Sequence, residues 1–337
     1  MRNSEGKTFI DSLLPAPRNG GFAMDDYWVW CGSAIKGEDG KYHLFASRWP
    51  KKYPFYWGYC YYSEIVRAVS DRPEGPFTFS EVVFPDRGAS YWDGRMTHNP
   101  TIHRVGENYL LFYIGTTFEG EKPSVADLMN DKHKRMKANP QAIGLATAKS
   151  VFGPWHRSDE PILCQRPEIW DHSVVTNPAP CILPDGRIFL YYRSYGLRIG
   201  LAIAERSGGP WQRFDNPVIN ADGQSPIEDM FVWWSEDKFH MIAKDLSDDG
   251  RLCGQRHGGV YATSQDGLEW EFHKGLAYSR FVQWDDGSEI LQGCLERPQL
   301  LIENNKAICF YAATGDGPGG FDNCTRTWNI AIPLGVK

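Results

Sequence analysis

The stretch Asn99-Pro100-Thr101-Ile102, followed after a short turn by Tyr109-Leu110-Leu111-Phe112-Tyr113, predicts two neighbouring strands of one sheet. The same pattern occurs four more times along the chain. The other copies begin at Gly32, Asn177, Asp229 and Arg297, and they lead to second strands at 42–45, 188–192, 239–242 and 308–311. Five tandem copies of such a unit predict an all-β fold, a single five-bladed β-propeller.

A second repeat predicts the outer half of the blades. It consists of an apolar strand, a turn containing Gly and often Pro, and an aromatic residue that begins the last strand. The copies run from 65–69 to Gly75-Pro76-Phe77, from 143–147 to 153–155, from 199–203 to 209–211, and from 259–263 to 267–270. The fifth unit lacks this half. We therefore expect residues 328–332 or the N-terminal segment to complete the last blade and close the ring.

Composition and charge limit the function classes. The five units take up nearly all of the 337 residues, so we expect one domain over 1–337. The net charge of -6, without runs of like charge, argues against nucleic acid or a membrane surface as partner. No segment has the length of a membrane helix, and residues 1–7 do not resemble a signal peptide. We expect a cytoplasmic protein, or a periplasmic or secreted one if a leader has been removed.

Two features stand outside the blade pattern. The eight cysteines show no metal-binding spacing, which is typical of buried thiols in a reducing compartment. The segment from about 119 to 139 interrupts blade two, is basic and is poor in strand signals. We expect it to contain a helix near 123–138 and to form a lid, a homodimer contact or a solvated loop.

Acidic residues recur near the starts of the inner strands. Six residues before the first three starts stand Asp26, Asp93 and Asp171, the last two in Trp-Asp pairs that include Trp92. The fourth start carries Glu228-Asp229, and Glu296 precedes the fifth. Because the inner strands of a propeller surround its axis, these carboxylates are predicted to converge on one funnel. Crowded carboxylates raise one another's pKa, which predicts a protonated acid beside an ionised partner, the arrangement used in glycoside hydrolysis.

Polar residues at the same strand starts are candidate contacts for a sugar. His98 is an alternative metal ligand or wall residue, and Asn99 and Asn177 can bind hydroxyl groups or cap the strands. Arg297 is expected to point away from Glu296 if the strand is extended. The candidate substrate-binding residues are Asp26, Trp92, His98, Asn99, Asp171, Asn177, Glu228 and Arg297.

The chain resembles the five-bladed glycoside hydrolases of families 43 and 117, and it is most similar to the family 117 anhydrogalactosidases. The resemblance rests on the blade pattern and on three motifs. These are Trp92-Asp93-Gly94 with Thr97-His98-Asn99-Pro100-Thr101-Ile102, Glu228-Asp229-Met230-Phe231-Val232-Trp233, and Glu296-Arg297-Pro298-Gln299-Leu300. It implies an exo-acting, inverting glycosidase for an oligosaccharide from algal or plant polysaccharide. No cofactor is implied as required, although some relatives hold Ca²⁺ in the central channel.

The resemblance also implies roles for three residues on blades n, n+2 and n+3. Asp93 is the expected base, Asp229 tunes pKa values, and Glu296, with a raised pKa, is the expected acid. Two departures stand out: the superfamily has its base at the start of blade one, where this chain has Gly32, and family 117 has a His where this chain has Leu295. Asp26 and Asp171 therefore remain alternatives for the base.

Two other functions fit the sequence. A phosphorylase needs one carboxylate and several cations, for which Arg297, Arg95 and His98 are candidates. A carbohydrate-binding propeller without catalysis needs only aromatic residues. The convergent carboxylates argue against the second, because a neutral sugar does not need them.

Overall fold

The computed structural model describes residues 9–130, 140–317, 319–320 and 323–335. Its strands form five four-stranded antiparallel sheets, and each sheet is one blade. The predicted five-bladed β-propeller is confirmed. No helix in these described ranges is long and apolar enough to cross a membrane.

The first three blades follow the chain without interruption. Blade one contains β2 (Tyr27–Lys36), β3 (Tyr42–Pro50), β4 (Glu64–Ser70) and β5 (Thr78–Phe84). Blade two contains β6 (Met96–Val105), β7 (Asn108–Thr116), β8 (Ala142–Ala148) and β9 (His156–Arg157). Blade three contains β10 (Thr176–Ile182), β11 (Ile188–Arg193), β12 (Ile199–Ala204) and β13 (Gln212–Arg213).

The last two blades differ in how they are completed. Blade four contains β14 (Ile227–Ser235), β15 (Lys238–Asp245), β16 (Gly259–Ser264) and β17 (Glu271–His273). A hairpin of β18 (Phe281–Gln283) and β19 (Glu289–Leu291) precedes the fifth blade. Blade five contains β20 (Leu295–Glu303), β21 (Lys306–Gly315), β22 (Thr327–Pro333) and, from the N-terminal segment, β1 (Phe22–Ala23).

Blade five is thus closed by both segments that the sequence offered. Phe22 pairs with Asn329 and Ala23 with Trp328. Gly21, at φ 72°, has no room for a side chain, because a Cβ there would lie 2.0 Å from the carbonyl oxygen of Asn329. This close approach lets the N-terminal segment add the outermost strand and close the ring.

Short helices lie in the loops. The helix α1 (Phe55–Tyr62) connects β3 to β4, and α2 (Val125–Asn130) lies in the blade-two insertion. Two 3₁₀ turns cover Ile10–Ser12 and Tyr195–Leu197. The predicted helix near 123–138 matches α2 in its first part. Residues 131–139 of the predicted lid or dimer contact lie outside the described residues.

The core consists of apolar side chains packed between adjacent blades. Five clusters of buried residues occupy the five contacts between neighbouring sheets, including the contact of blade five with blade one. Phe231 and Trp233 of blade four, for example, pack with Leu300 and Phe310 of blade five. This packing holds the inner strands at fixed positions around the axis.

Every inner strand contains a bulge at the same place. One residue of each adopts a positive φ of 52–59°, and the pairing register shifts there. The residues concerned are Cys31, Asn99, Asn177, Asp229 and Arg297. Bulges redirect side chains, and non-glycine residues with positive φ are concentrated at functional sites. The five bulges therefore mark a candidate site on the axis.

Candidate active site

The five bulge residues, one from each blade, meet at the centre of the molecule. Cys31 donates to Asn99 Oδ1 at 2.7 Å, Asn99 Nδ2 to Asn177 Oδ1 at 2.8 Å, and Asn177 Nδ2 to Asp229 Oδ1 at 2.6 Å. The amide of Arg297 donates to Asp229 Oδ2 at 3.1 Å. We call these residues the axial ring. All five are buried, so the ring fills this level of the axis and forms the floor of any site above it.

The residue before each ring residue forms a second layer. Its members are Trp30, His98, Thr176, Glu228 and Glu296. Glu228 retains 21% of its side-chain exposure and the Arg193 beside it 24%, whereas Glu296 retains 6%. Solvent therefore reaches this layer at Glu228, and Glu296 lies deeper. We place the predicted funnel at this layer, opening beside Glu228.

Three carboxylates meet in this funnel. Oxygens of Glu228, Asp229 and Glu296 lie within 4.8 Å of one another. Burial raises the pKa of Asp229 to about 7; Glu228 and Glu296 also raise it, and Arg297 opposes them. The predicted crowding of carboxylates is present. The group of three thus holds a proton up to about neutral pH.

Two cations from neighbouring blades pair with these carboxylates. The Nζ atom of Lys244 lies 2.5 Å and 2.7 Å from the two oxygens of Glu296. Arg193 Nε lies 2.9 Å from Glu228 Oε1. In both pairs the cation comes from the second strand of one blade and the carboxylate from the inner strand of the next. Glu296 lies beside other carboxylates as predicted, and it is also held in a buried ion pair.

The opposite wall of the funnel is aromatic and neutral. Trp30 packs edge-on against Phe55 of α1, and the ring of Tyr59 lies 4.9 Å from that of His98. Burial lowers the pKa of His98 to about 3, with Arg297 contributing, so the imidazole is neutral. Its Nδ1 is hydrogen-bonded with Ser63 Oγ at 2.8 Å. The funnel therefore has one charged and one aromatic wall, which suits the hydroxyl groups and the C–H face of a sugar.

The structure does not place Asp93 in the carboxylate cluster. Arg87 donates to its Oδ1, and Arg157 and Tyr113 donate to its Oδ2, at 2.5–2.9 Å. Both oxygens are thus engaged and the residue is 1% exposed. The partners of Asp93 lie outside the group of Glu228, Asp229 and Glu296, and we do not assign it to activating a water beside Glu296. The base assignment to Asp93 is corrected on this ground.

Asp171 occupies the corresponding place in blade three and is not a substitute base. It is fully buried and accepts hydrogen bonds from Arg166, Arg213 and Tyr192. The tryptophan before each aspartate stacks on the tyrosine that donates to that aspartate. The ring centroids lie 5.8 Å apart for Trp92 and Tyr113, and 5.9 Å apart for Trp170 and Tyr192. Trp92 also donates to the carbonyl of Ser158. These residues hold the strands of their own blade together, in place of the sugar-binding role expected for Trp92 and Asp171.

Blade one also required a correction. The bulge residue equivalent to Asn99 is Cys31, so the inner-strand start assigned to Gly32 is displaced by one residue. Asp26 therefore has no equivalence to Asp93 or Asp171, and it is exposed. Burial raises the pKa of the Cys31 thiol, against the effect of Arg297. Blade one contributes a neutral thiol to the ring where the resemblance implied a base.

The remaining predicted residues lie in the ring. Asn99 and Asn177 bind one another and Asp229, so the structure gives them a role in the floor of the funnel. Arg297 is not extended, and its guanidinium lies on the axis, with Nη2 donating to the carbonyl of Pro178 at 3.3 Å and Nη1 3.7 Å from Asp229 Oδ1.

The cluster does not fit the Ca²⁺ that the resemblance allowed. Within the described ranges, Glu228, Asp229 and Glu296 are the one group of at least three His, Cys, Asp or Glu side chains with suitably close ligand atoms. Ca²⁺ takes six to eight oxygen ligands. Here Lys244, Arg193 and Arg297 already provide the positive charge beside these carboxylates, so the residues present do not suit a divalent cation.

Sequence reasoning missed Lys244, Arg193 and the aromatic wall. Arg193 ends the otherwise uncharged second strand Ile188–Arg193, and Lys244 is a buried lysine next to the end of the second strand Lys238–Asp245. A basic residue in a largely buried strand is a usable signal, since such charges are buried only when paired. The aromatic wall had a signal in the six aromatic residues of the eight-residue α1.

This chain resembles known proteins in its structure. No family model matches the chain, and no curated protein matches its sequence. A family 117 glycoside hydrolase from Zobellia galactanivorans superposes with a TM-score of 0.63 at 15% identity, covering 96% of this chain and 88% of that one. A GH43_1 enzyme from Xanthomonas citri gives 0.59 at 14%, covering 97% and 92%. Arabinanase Arb43A of Bacillus subtilis gives 0.55 at 13%, covering 90% and 94%. The chain thus has the five-bladed propeller fold of these glycoside hydrolases.

Proposed function

We propose that the protein is a glycoside hydrolase that removes a terminal sugar from an oligosaccharide. The observation that carries this proposal is the cluster of Glu228, Asp229 and Glu296, which stands in a funnel on the propeller axis and holds a proton up to about pH 7. A proton donor beside an ionised carboxylate is what glycoside hydrolysis requires. The fold shared with glycoside hydrolases of families 43 and 117 supports the same class.

Glu296 is the proton donor in this proposal. Asp229 carries the proton in the free protein, but Asn177 and the Arg297 amide occupy its two oxygens. Glu296 lies in the layer above it, with an oxygen within 4.8 Å of an Asp229 oxygen, and in this proposal the two carboxyls form one proton-transfer unit. The proton is therefore shared, and Glu296 can pass it to the leaving oxygen while Asp229 tunes the cluster.

Glu228 is the second carboxylate. It is the most exposed member of the cluster, and its ion pair with Arg193 holds its carboxylate at the solvent side of the layer. One oxygen of Glu228 and one of Glu296 lie within 4.8 Å of each other, which is nearer to the ~5–5.5 Å carboxyl spacing of retaining enzymes than to the ~6.5–9.5 Å of inverting ones. We therefore expect net retention, in place of the inversion implied when Asp93 was the base.

The funnel favours a chain end as substrate. The axial ring closes its floor and Glu296 is 5% exposed, so an internal residue of a polysaccharide cannot thread past the acid. The aromatic wall around Trp30 and Tyr59 offers a face for sugar C–H groups. We propose algal or plant oligosaccharides as the substrate class, because the similar structures include an arabinanase and a family 117 enzyme of a marine bacterium.

The test is turnover of aryl glycosides and of algal and plant oligosaccharides, measured with and without phosphate. Glu296→Gln should lower kcat on natural substrates by ~10²–10⁴-fold and have less effect on substrates with acidic leaving groups. Glu228→Gln should lower kcat on both kinds of substrate, because the attack on the sugar carbon is needed whatever the leaving group is. The control is Asp159→Asn. Asp159 is exposed and belongs to neither the axial ring nor the layer above it, so this variant should keep parent activity.

The outcomes separate the alternatives. Turnover in phosphate-free buffer contradicts a phosphorylase. Of the cations proposed for it, Arg95 and Arg297 lie beside Asp86 and Asp229, and His98 is neutral. Parent rates in Glu296→Gln on both substrate types would remove Glu296 as the acid. The anomer first released, followed by ¹H NMR, tests the assignment of Glu228, since an inverted product would require a water between the two carboxyls.

A further inference from the structure

The contact between Lys244 and Glu296 is the closest charged contact of the funnel, and it has no role in the reaction as described so far. Lys244 Nζ lies 2.5 Å and 2.7 Å from the two carboxylate oxygens, and the side chains are 5% and 6% exposed. A buried pair of this kind costs free energy unless its geometry is good and its charges are matched. Such a contact fixes the orientation of a carboxylate.

The groups that face Glu296 determine its electrostatic environment. From β14 come Glu228 and Asp229, from β15 Lys244 and from β2 the Cys31 thiol. The loops before β20 contribute Tyr278 and Cys294, whose pKa values are raised, mainly by burial. Arg297 follows Glu296 in β20 but interacts with Asp229. The described charges nearest to Glu296 are therefore two carboxylates and one ammonium.

Lys244 keeps its positive charge although it is buried. Burial alone would lower the pKa of Lys244, but Glu296 and Glu228 raise it above the ordinary lysine value. Lys244 thus stays charged throughout the range in which carboxylates titrate. A fixed positive charge beside a carboxylate favours its ionised form. Without this charge, three clustered carboxylates would keep their proton to a higher pH.

We propose that Lys244 is a positioning residue, which orients Glu296 and sets the pH at which the carboxylate cluster releases its proton. This inference rests on the proposed function for its effect on activity, but its electrostatic part does not. The cluster of the parent protein is expected to lose its proton near pH 7, so activity that needs the proton should fall as the pH rises through that value.

The experiment compares Lys244→Met, Lys244→Arg and Lys238→Met. Met matches the length of the lysine stem without its charge, Arg keeps the charge, and Lys238 is the control at the opposite end of β15. Lys244→Met should lower kcat at least 10-fold and move the alkaline limb of the kcat profile upward by one pH unit or more, with KM changed less than threefold. Lys244→Arg should keep the parent limb, as should Lys238→Met.

Carboxyl ¹³C NMR titration of the same variants provides a readout independent of turnover. The highest carboxyl midpoint should rise by at least one unit in Lys244→Met, even if no glycoside is cleaved. If activity is absent in every protein but this midpoint moves, the glycosidase proposal fails and the electrostatic role stands. A folded Lys244→Met with unchanged midpoint overturns the inference, as does an unchanged limb with only KM raised.

A double variant tests the inference if Lys244→Met does not fold. If Lys244→Met does not fold, Lys244→Met with Glu296→Gln removes both charges and should restore a cooperative unfolding transition. In that double variant the carboxyl midpoint of Asp229 should still lie above the midpoint found with Glu296→Gln alone, because Lys244 also lowers the pKa of Asp229. Failure of the double variant to fold would show that Lys244 supports the fold in some way other than by pairing with the charge of Glu296, which also overturns the inference.

Discussion

At the level of single residues, the aspartates of blades two and three share the same sequence context and the same structural role. Asp93 and Asp171 each follow a tryptophan, each accept from two arginines and one tyrosine, and each are buried. One arginine of each set comes from the outermost strand, β9 or β13. Each aspartate therefore ties the inner and outer parts of its blade together.

We predict that Asp93→Asn destabilises the fold and leaves the chemistry intact. The change leaves buried guanidinium groups without a counter-charge, which costs roughly 3–5 kcal/mol at most, since Arg87 is partly exposed. Urea unfolding should show the loss, and Asp171→Asn should match it. If the folded variant keeps its stability but its kcat falls more than tenfold, Asp93 takes part in the reaction and the prediction is wrong.

The residues of the site were predictable to different degrees. Glu228, Asp229 and Glu296 could be placed together because their strand starts are marked by the repeat. Cys31 could not be aligned, because the bulge of β2 precedes Gly32 and a bulge leaves no clear mark in sequence. Lys244 could not be assigned, because its partner lies on another blade, 52 positions away.

At the level of elements, α1 shows how an insertion between two strands shapes a wall of the funnel. Phe55 packs against Trp28, Trp30 and Trp49, while Tyr59 approaches His98. Tyr56 lies one turn from Tyr59, with ring centroids 5.7 Å apart, and remains 48% exposed. The helix thus presents an aromatic ring to solvent beside the funnel wall.

We predict that Tyr56→Ala weakens binding of longer oligosaccharides. The loss of one aromatic contact of ~0.5–1.5 kcal/mol should raise KM roughly 2–10-fold for a trisaccharide. An aryl monosaccharide, which does not extend that far, should keep its KM, and kcat should not change. Phe152→Ala, equally 48% exposed in the turn after β8, is the control. Equal effects on both substrates would place Tyr56 outside the substrate path.

The repeat predicted the sheets better than the loops between them. Strand positions follow from apolar runs and from Gly-containing turns, which recur in every blade. The helix α1 did not show in the pattern, because its aromatic residues are equally typical of a strand. Its helical state depends on packing against Trp28, Trp30 and Trp49, which come from β2 and β3.

At the level of the whole molecule, closure of the ring connects distant parts of the chain to the site. The N-terminal segment pairs with β22 of blade five and also binds blade one, since Gly21 accepts from the amide of Phe77 and donates to Glu74. Tyr311 of blade five donates to the carbonyl of Pro73 across the same seam. Glu296 on blade five and Cys31 on blade one therefore depend on this closure for their places around the axis.

We predict that Phe22→Ala lowers the stability of the entire propeller. The side chain is 2% exposed in the cluster shared by blades five and one, and truncation of such a phenylalanine costs ~3–5 kcal/mol. Because each blade is packed between two others, unfolding should remain a single transition at lower denaturant concentration, with the proposed glycosidase activity lost at the same midpoint. Phe281→Ala, at a site 49% exposed, should leave the midpoint unchanged. Two separate transitions, with activity surviving the first, would show that closure stabilises only the seam and that the axial ring holds without it.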